Sequence, residues 1–133
     1  VYKRQGMSNV FALHHVSVLV SDTQRALRFY CELLGLSTDA SRPAMDFPGA
    51  WLDVGDQQIH LIEIPAHMTA GPVVEHGGRD RHIALQVVDL DPVRTRLESE
   101  GVDHTLSRSG RRALFCRDPD GNAIELVERP QPQ

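Results

Sequence analysis

Four residues of metal-binding type occupy matching places in the two halves of this chain. His15 opens the segment HVSVLVSD, and His82 opens HIALQVVD 67 positions later. His60 lies in QIHLIE, and Glu125 takes the matching place in AIELVE 65 positions later. Neutral imidazole and carboxylate are ligands for Fe(II), Mn, Co, Ni and Zn alike. The spacing therefore predicts one divalent-metal site formed by these four residues, with the identity of the metal left open.

His60 has two alternative roles in such a site. An internal repeat implies two copies of one supersecondary unit, so equivalent residues can meet near the axis that relates the copies. Three ligands already suffice for a catalytic site with open positions. His60 is therefore either a fourth ligand or an unbound imidazole beside the metal, where it would act as general base or orient the substrate.

Each half of the chain predicts the same order of elements. Alternation from Leu13 to Val20 predicts a strand that carries His15 on one face. Ser21 or Asp22 can cap a helix that runs to about residue 34. Further elements are expected as strands at 36–40, 50–54 and 58–64, then a strand at 81–88, a helix ending near 100, and strands at 102–106, 112–117 and 122–128. The predicted fold class is α+β, with one βαβββ module over 11–65 and a second over 79–128.

Composition places the chain among small globular proteins. Its 133 residues are 41% hydrophobic and 24% charged, which suits a single domain, expected at 7–128. Residues 1–6 (VYKRQG) fit no pattern and are predicted to be a non-native leader, and 129–133 a tail. A net charge of −4 favours no nucleic-acid partner, and no apolar run approaches the roughly 20 residues that span a membrane. Cys31 and Cys116 lie outside any CxxC motif, which predicts reduced thiols and a cytoplasmic location.

Other polar residues are weaker candidates. His14 is expected on the strand face opposite to His15, and Glu63 on the face opposite to His60. Asp118 and Asp120 lie in a DPDG segment typical of a tight turn. Two linker histidines could belong to a lid over the site: His67 and His76. An anionic substrate would need one or two of the arginines in the second half: Arg79, Arg81, Arg108, Arg111, Arg112 and Arg117.

Several motifs together resemble the vicinal oxygen chelate superfamily, also called the glyoxalase/bleomycin resistance/dioxygenase group. They are HVSVLVSD at 15–22, Phe29-Tyr30, LGL at 34–36, RHIALQV at 81–87, and DPDGN at 118–122 followed by IEL at 124–126. The resemblance covers residues 11–128 and suggests a glyoxalase-like single-domain member. It implies paired βαβββ modules that form a half-barrel cup around one divalent metal ion, and a homodimer, since many members are dimeric.

The resemblance also implies a reaction. His15, His82 and Glu125 match the family's common metal triad, whereas His60 falls where glyoxalase I proteins commonly carry Glu and methylmalonyl-CoA epimerases carry Gln. The implied activity is that of a lyase or isomerase resembling lactoylglutathione lyase, which moves a proton next to the carbonyl of a small-molecule substrate through a metal-bound enediolate. Glu125 is the candidate catalytic carboxylate if it loosens from the metal, and His60 is the alternative base.

Three other activities of the same group stay open or are disfavoured. An Fe(II) extradiol-type dioxygenase uses two His and one Glu in the same way. A non-catalytic drug-binding protein, like the bleomycin-resistance proteins, typically lacks the metal residues. Fosfomycin-resistance transferases have an acidic, serine-rich potassium-binding loop, and the matching stretch here, 109–113, reads SGRRA. The basic loop disfavours a thiol transferase of that kind.

Overall fold

The computed structural model describes residues 9–69, 74–107 and 109–131. The predicted leader at 1–6 lies outside the described residues. The first half contains β1 (His15–Val20), α1 (Thr23–Leu27), a π-helix (Arg28–Leu33), β2 (Ser37–Thr38), β3 (Gly49–Val54) and β4 (Gln57–Glu63). The second half contains β5 (His82–Val87), α3 (Leu90–Ser99), β6 (His104–Leu106), β7 (Ala113–Arg117) and β8 (Ala123–Glu128). Between the halves lie α2 (Ala66–Thr69) and a 3-10 turn (Gly77–Arg79).

Each half forms one four-stranded mixed sheet with the same topology. The strand orders are β1-β4-β3-β2 and β5-β8-β7-β6, and the first pair in each sheet is parallel. Even the register is shared: Ser17 pairs with His60 in the first sheet, and Ala84 pairs with Glu125 in the second. The structure therefore confirms the predicted α+β fold and its two βαβββ modules.

The core lies on one face of each sheet, under the helices. Val18, Val20, Leu52, Ile59 and Leu61 are buried together with helix residues of both modules. Burial of each such side chain contributes about 1.5–3 kcal/mol. Because side chains alternate along a strand, the residues between these core positions point to the other face of the sheet. That second face is where β1 and β4 carry His15 and His60.

Acidic side chains, including one from the last strand of each module, hold the starts of the helices. Asp22 caps α1 by accepting the backbone N–H of Arg25 at 3.0 Å, and Glu63 Oε1 accepts the N–H of Thr23 at 2.8 Å. In the second module, Glu128 Oε2 accepts the N–H of Leu90 at 3.0 Å. These contacts satisfy backbone donors that have no partner inside a helix. They confirm that Glu63 faces away from His60.

Two predicted elements differ from the structure in extent. The first helix is α-helical only to Leu27, after which Leu34 N–H donates to the carbonyl of Phe29 at 3.1 Å, the wider spacing of a π-helix. The strand expected at 36–40 is reduced to Ser37–Thr38. Asp39 ends it, because its side chain accepts from both the N–H and the hydroxyl of Ser41 and so closes a turn.

The DPDG turn joins the modules. Asp118 Oδ1 accepts the N–H groups of Asp120 and Asn122 at 2.9 Å each, which confirms the predicted turn. The same carboxylate accepts the buried hydroxyl of Tyr30 at 2.7 Å. Asp120 accepts the Ser21 hydroxyl at 2.6 Å, and Asn122 donates to the carbonyl of Leu19 at 3.0 Å. A segment expected only to reverse the chain therefore also ties the second module to the first.

Membrane and disulfide features can be stated for the described part of the chain. None of its helices combines the length and the apolar character needed to cross a membrane. Cys31 is half-buried and Cys116 buried, and both are free thiols.

Candidate metal centre

The first pair of predicted ligands is His15 and His60. Their rings stack with centroids 4.0 Å apart and planes 15° from parallel. Trp51, the neighbour of His60 on β3, stacks on His60 as well, at 4.6 Å and 9°. Because β4 lies between β1 and β3, the imidazole of His60 is held between the two other rings. Ring stacking fixes its orientation without using either nitrogen.

Hydrogen bonds define the tautomer of His60, that is, which ring nitrogen carries the proton. Gln58 donates from its amide nitrogen to Asp39 at 2.7 Å and to Asp53 at 3.0 Å, so its oxygen faces His60 Nε2 at 2.8 Å. Nε2 is therefore the donor, and the lone pair resides on Nδ1. Burial, with His15 and His14 nearby, lowers the pKa of His60. A neutral imidazole is the form that can bind a metal ion or accept a proton.

The second pair is His82 and Glu125. His82 Nε2 lies 3.2 Å from Glu125 Oε1, and the Glu125 side chain is only 4% exposed. His82 Nδ1 donates to the carbonyl oxygen of Asp80 at 2.8 Å, which leaves the lone pair of a neutral ring on Nε2. Two electron-rich atoms therefore face each other and need a proton or a cation between them. A ligating histidine held by a backbone carbonyl through its other nitrogen is a common arrangement in metal sites.

Arg111 is the feature of this pair that sequence reasoning did not single out. Its Nη2 lies 3.1 Å from Glu125 Oε2. From the sequence it was only one of six candidate arginines, because its separation of 14 residues from Glu125 does not indicate a contact through strand or helix periodicity. Only the path of the loop before β7 brings it to β8.

The structure brings the four predicted residues together as two pairs, one on each sheet. Within residues 9–69, 74–107 and 109–131, no group of three or more His, Cys, Asp or Glu side chains is close enough to hold a metal ion. The chemistry of the donors fits a divalent ion, since each pair offers imidazole nitrogen and the second adds a carboxylate. Each pair therefore offers part of the predicted set of donors.

The three histidines that were weaker candidates lie in different places. His14 precedes β1, so strand alternation does not govern it, and its Nδ1 lies 2.7 Å from His15 Nδ1 rather than on the opposite face. His67 is exposed on α2. His76 bonds Thr105 at 3.0 Å and packs edge-on against Phe115, whose ring also contacts His82. Of the two linker histidines, His76 thus lies beside the second pair.

A cleft of about 650 Å³ opens between the modules, beside the second pair. Both modules contribute to it, with Ser17 and Leu19 from β1 and His82 from β5. Its remaining lining residues are Val18, Met68, Thr69, Asp80, Arg81, Ile83, Asp120, Gly121, Asn122 and Ala123. A small molecule held there would contact His82.

Comparison with known proteins agrees with this geometry. A protein named Glyoxylase I 4 from Arabidopsis thaliana is 31% identical over 120 residues, which cover 86% of this chain and 69% of that protein. Glutathione transferase FosA from Serratia marcescens is 32% identical over 118 residues, covering 86% of this chain and 79% of that protein. Among solved structures, TnmS3, an antibiotic binding protein from Streptomyces sp. CB03234, is similar with a TM-score of 0.71 and 25% identity, covering 93% of this chain and 100% of that chain.

The family assignment depends on nearly the whole domain. The family model described as Glyoxalase/Bleomycin resistance protein/Dioxygenase superfamily matches residues 12–126, which include both modules and all four predicted ligands. The repeated topology, the shared register and this match lead to one conclusion: the chain belongs to the glyoxalase/bleomycin resistance protein/dioxygenase superfamily.

Proposed function

We propose that this protein is a divalent-metal-dependent enzyme of the glyoxalase type, a lyase or isomerase that moves a proton next to a carbonyl group of a small molecule. The observation that carries the proposal is the pair of His82 and Glu125, in which His82 Nε2 lies 3.2 Å from an oxygen of a buried carboxylate and Nδ1 is held by a backbone carbonyl. A second pair, His15 and His60, occupies the matching register in the other sheet. Relatives named glyoxylase and lactoylglutathione lyase support the reaction type.

The residues that would hold the metal ion are His15, His82 and Glu125, with His60 either a fourth ligand or an unbound base beside the ion. When bound, a Ni, Zn, Co, Fe or Mn ion would polarise the carbonyl oxygen of the substrate as a Lewis acid. The protein would contribute orientation: Asp80 fixes the His82 ring through Nδ1, and Trp51 fixes the His60 ring by stacking. Rigid donors lower the reorganisation needed when charge develops on a substrate.

His60 is the proposed proton carrier. Its pKa is lowered by burial, so the ring is neutral near pH 7. Its Nδ1 holds the lone pair, because Nε2 donates to Gln58. A neutral imidazole within reach of the substrate can accept a proton as general base. Glu125 is the alternative carrier if it is released from the metal.

We also propose that a second copy of the chain completes the site. The two pairs lie on different sheets, and within the described ranges no cluster of three ligands forms. Large apolar side chains just before β1 are exposed, with Phe11 at 95% and Leu13 at 67%, which suits burial against another copy. Mixing His15→Ala with Glu125→Ala chains tests this, since each variant lacks one residue of the metal triad and a shared site would regain metal binding in the mixed dimer. A site within one chain would regain none.

A second candidate function is binding or modification of an antibiotic. The similarity to FosA and to TnmS3 favours it. The basic loop at 109–113 disfavours a thiol transferase of the fosfomycin type. Within this loop, Arg111 forms an ion pair with Glu125. An extradiol-type dioxygenase remains the alternative for an iron-loaded protein, since Fe(II) in a site of two His and one carboxylate is typical of oxygenases.

The first experiment is elemental analysis of protein purified without a metal-affinity tag. The wild type is expected to carry roughly one equivalent of a first-row metal per chain, as a catalytic site requires. His82→Ala is expected to lose it, and His67→Ala, which removes an exposed histidine on α2, to keep it. Proton transfer is then measured as exchange of solvent deuterium into the carbon next to the carbonyl of an α-oxo aldehyde, with and without an added thiol. No metal uptake by the wild type would overturn the proposed enzyme and leave a small-molecule binder.

A further inference from the structure

Glu125 is a charged group buried on the ligand face of the second sheet. Its side chain is 4% exposed, and an isolated carboxylate at such a position would be costly. In the absence of a metal ion, a proton shared with His82 or a neighbouring cation lowers that cost. Two side chains contact its oxygens: His82 at 3.2 Å and Arg111 at 3.1 Å.

His82 and Arg111 differ as partners of Glu125. His82 Nδ1 donates to the carbonyl of Asp80 at 2.8 Å, so a neutral ring presents a lone pair to Glu125 through Nε2. Arg111 is charged at any physiological pH, so its contact at 3.1 Å places a permanent cation beside Glu125.

Arg111 is held loosely apart from this contact. Its side chain is 60% exposed, and its Nε donates to the hydroxyl of Ser109 in the same loop at 3.2 Å. Arg112 next to it is equally exposed, but its guanidinium is fixed by Glu128 at 2.9 Å and Asp91 at 3.1 Å. Of the two neighbouring arginines, Arg111 is the one that can leave its partner without breaking other side-chain ion pairs.

We propose that Arg111 is an exchangeable counter-ion. It neutralises Glu125 in the metal-free chain, a divalent ion displaces it, and the freed guanidinium then binds an anionic group on the ligand beside the metal. The proposal rests on the proposed function for the metal itself. It adds a substrate class: a small carbonyl compound that carries a carboxylate or phosphate, the groups that guanidinium recognises with paired hydrogen bonds.

Zinc titration by calorimetry tests the exchange. Arg111→Gln removes the competing cation, so zinc is expected to bind at least about fivefold more tightly than to wild type, the equivalent of one exposed ion pair. Arg112→Gln removes the same charge from the adjacent position and is expected to leave zinc affinity unchanged. Equal or weaker zinc binding by Arg111→Gln would overturn the counter-ion role alone. No zinc binding by any of the three proteins would overturn the metal site as well.

The ligand class is tested with pyruvate and hydroxyacetone on the zinc-loaded proteins. Arg111→Gln is expected to weaken pyruvate binding about tenfold, in line with loss of a charge-assisted pair, and to leave the uncharged hydroxyacetone unaffected. Unchanged pyruvate affinity would overturn the anion-binding role. If Arg111→Gln does not fold, the wild type suffices: zinc must shift the side-chain ¹⁵N signals of Arg111 and not those of Arg112. Unshifted Arg111 signals at zinc saturation would overturn the exchange.

Discussion

The two modules share a backbone plan but differ in what they place on it. At one equivalent position in the two sheets, His60 pairs with Trp51 across strands in the first module, and Glu125 pairs with Phe115 in the second. The first pair is aromatic throughout, and stacking and a Gln58 hydrogen bond hold it. The second pair contains a buried carboxylate that two nitrogen-bearing side chains contact. The same backbone arrangement therefore carries two imidazoles in the first module and an imidazole with a carboxylate in the second. In the proposed metal site these would be a neutral half-site and a charged half-site.

The largest expected effect concerns this difference in charge. Glu125→Gln is expected to lower the affinity for zinc more than about a hundredfold, because it removes the negatively charged ligand. Loss of a residue that only supports a ligand costs less, about 10- to 100-fold. His60→Gln is expected to cost about tenfold, since the other ligands remain. Calorimetric titration measures both, with His67→Gln as control. Equal losses from the two variants would break the distinction between a charged and a neutral half-site.

A second comparison concerns the first residue of β3 and of β7. Gly49 faces Ile62 and Ala113 faces Val127 in the same register, yet a Cβ on Gly49 would collide with the backbone oxygen of Leu61. Gly49→Ala is therefore expected to lower the free energy of unfolding by about 2 kcal/mol through overpacking against main chain. The reverse change, Ala113→Gly, is expected to cost about 0.5–1 kcal/mol through chain entropy. Urea unfolding followed by circular dichroism measures both, and equal costs would mean that the modules are interchangeable here.

The joint between the modules gives a smaller expected effect. Burial raises the pKa of Tyr30, so its hydroxyl remains a donor to Asp118, a carboxylate whose pKa burial also raises. Tyr30→Phe is expected to lower the free energy of unfolding by about 1–2 kcal/mol, because a buried acceptor loses a partner. Ser41→Ala, which removes an exposed hydroxyl bonded to Asp39, serves as the control in the same urea experiment. A Tyr30→Phe protein as stable as that control would mean that this bond does not tie the modules together.

Periodicity made the fold readable from the sequence. Alternation in HVSVLVSD and its copy placed β1 and β5 on the correct faces, and the repeat placed His60 and Glu125 at equivalent points. Local pattern could not show where long-range contacts change an element. The π-helix carries Tyr30, whose hydroxyl partner is 88 residues away, and the short β2 ends at an Asp39 turn.

The site was readable in its residues but not in its pairing. The sequence predicted four ligands around one metal ion, and this remains a prediction, with His15 beside His60 and His82 beside Glu125 in the structure. Spacing defines which face of a sheet a residue occupies, but it contains no information on how two sheets are set against each other. The contact of Arg111 with Glu125 was also missed, because it depends on the path of a loop that has no periodic pattern.

The smallest expected effect is a pH dependence that Glu128 adds in the second module. Hydrogen bonds from Arg112 and from the N–H of Leu90 lower the pKa of Glu128 below its usual 4.5. A depressed folded-state pKa means that the stabilisation is fully present above about 4.5 and is lost as the pH falls through the lower folded value. Glu128→Gln is therefore expected to lower the melting temperature at pH 6 and to flatten its decline between pH 5 and 3, whereas Glu98→Gln on the exposed face of α3 should change neither. A parallel decline in Glu128→Gln and wild type would assign the acid sensitivity to other carboxylates, such as Asp80 beside Arg117, whose pKa is also lowered.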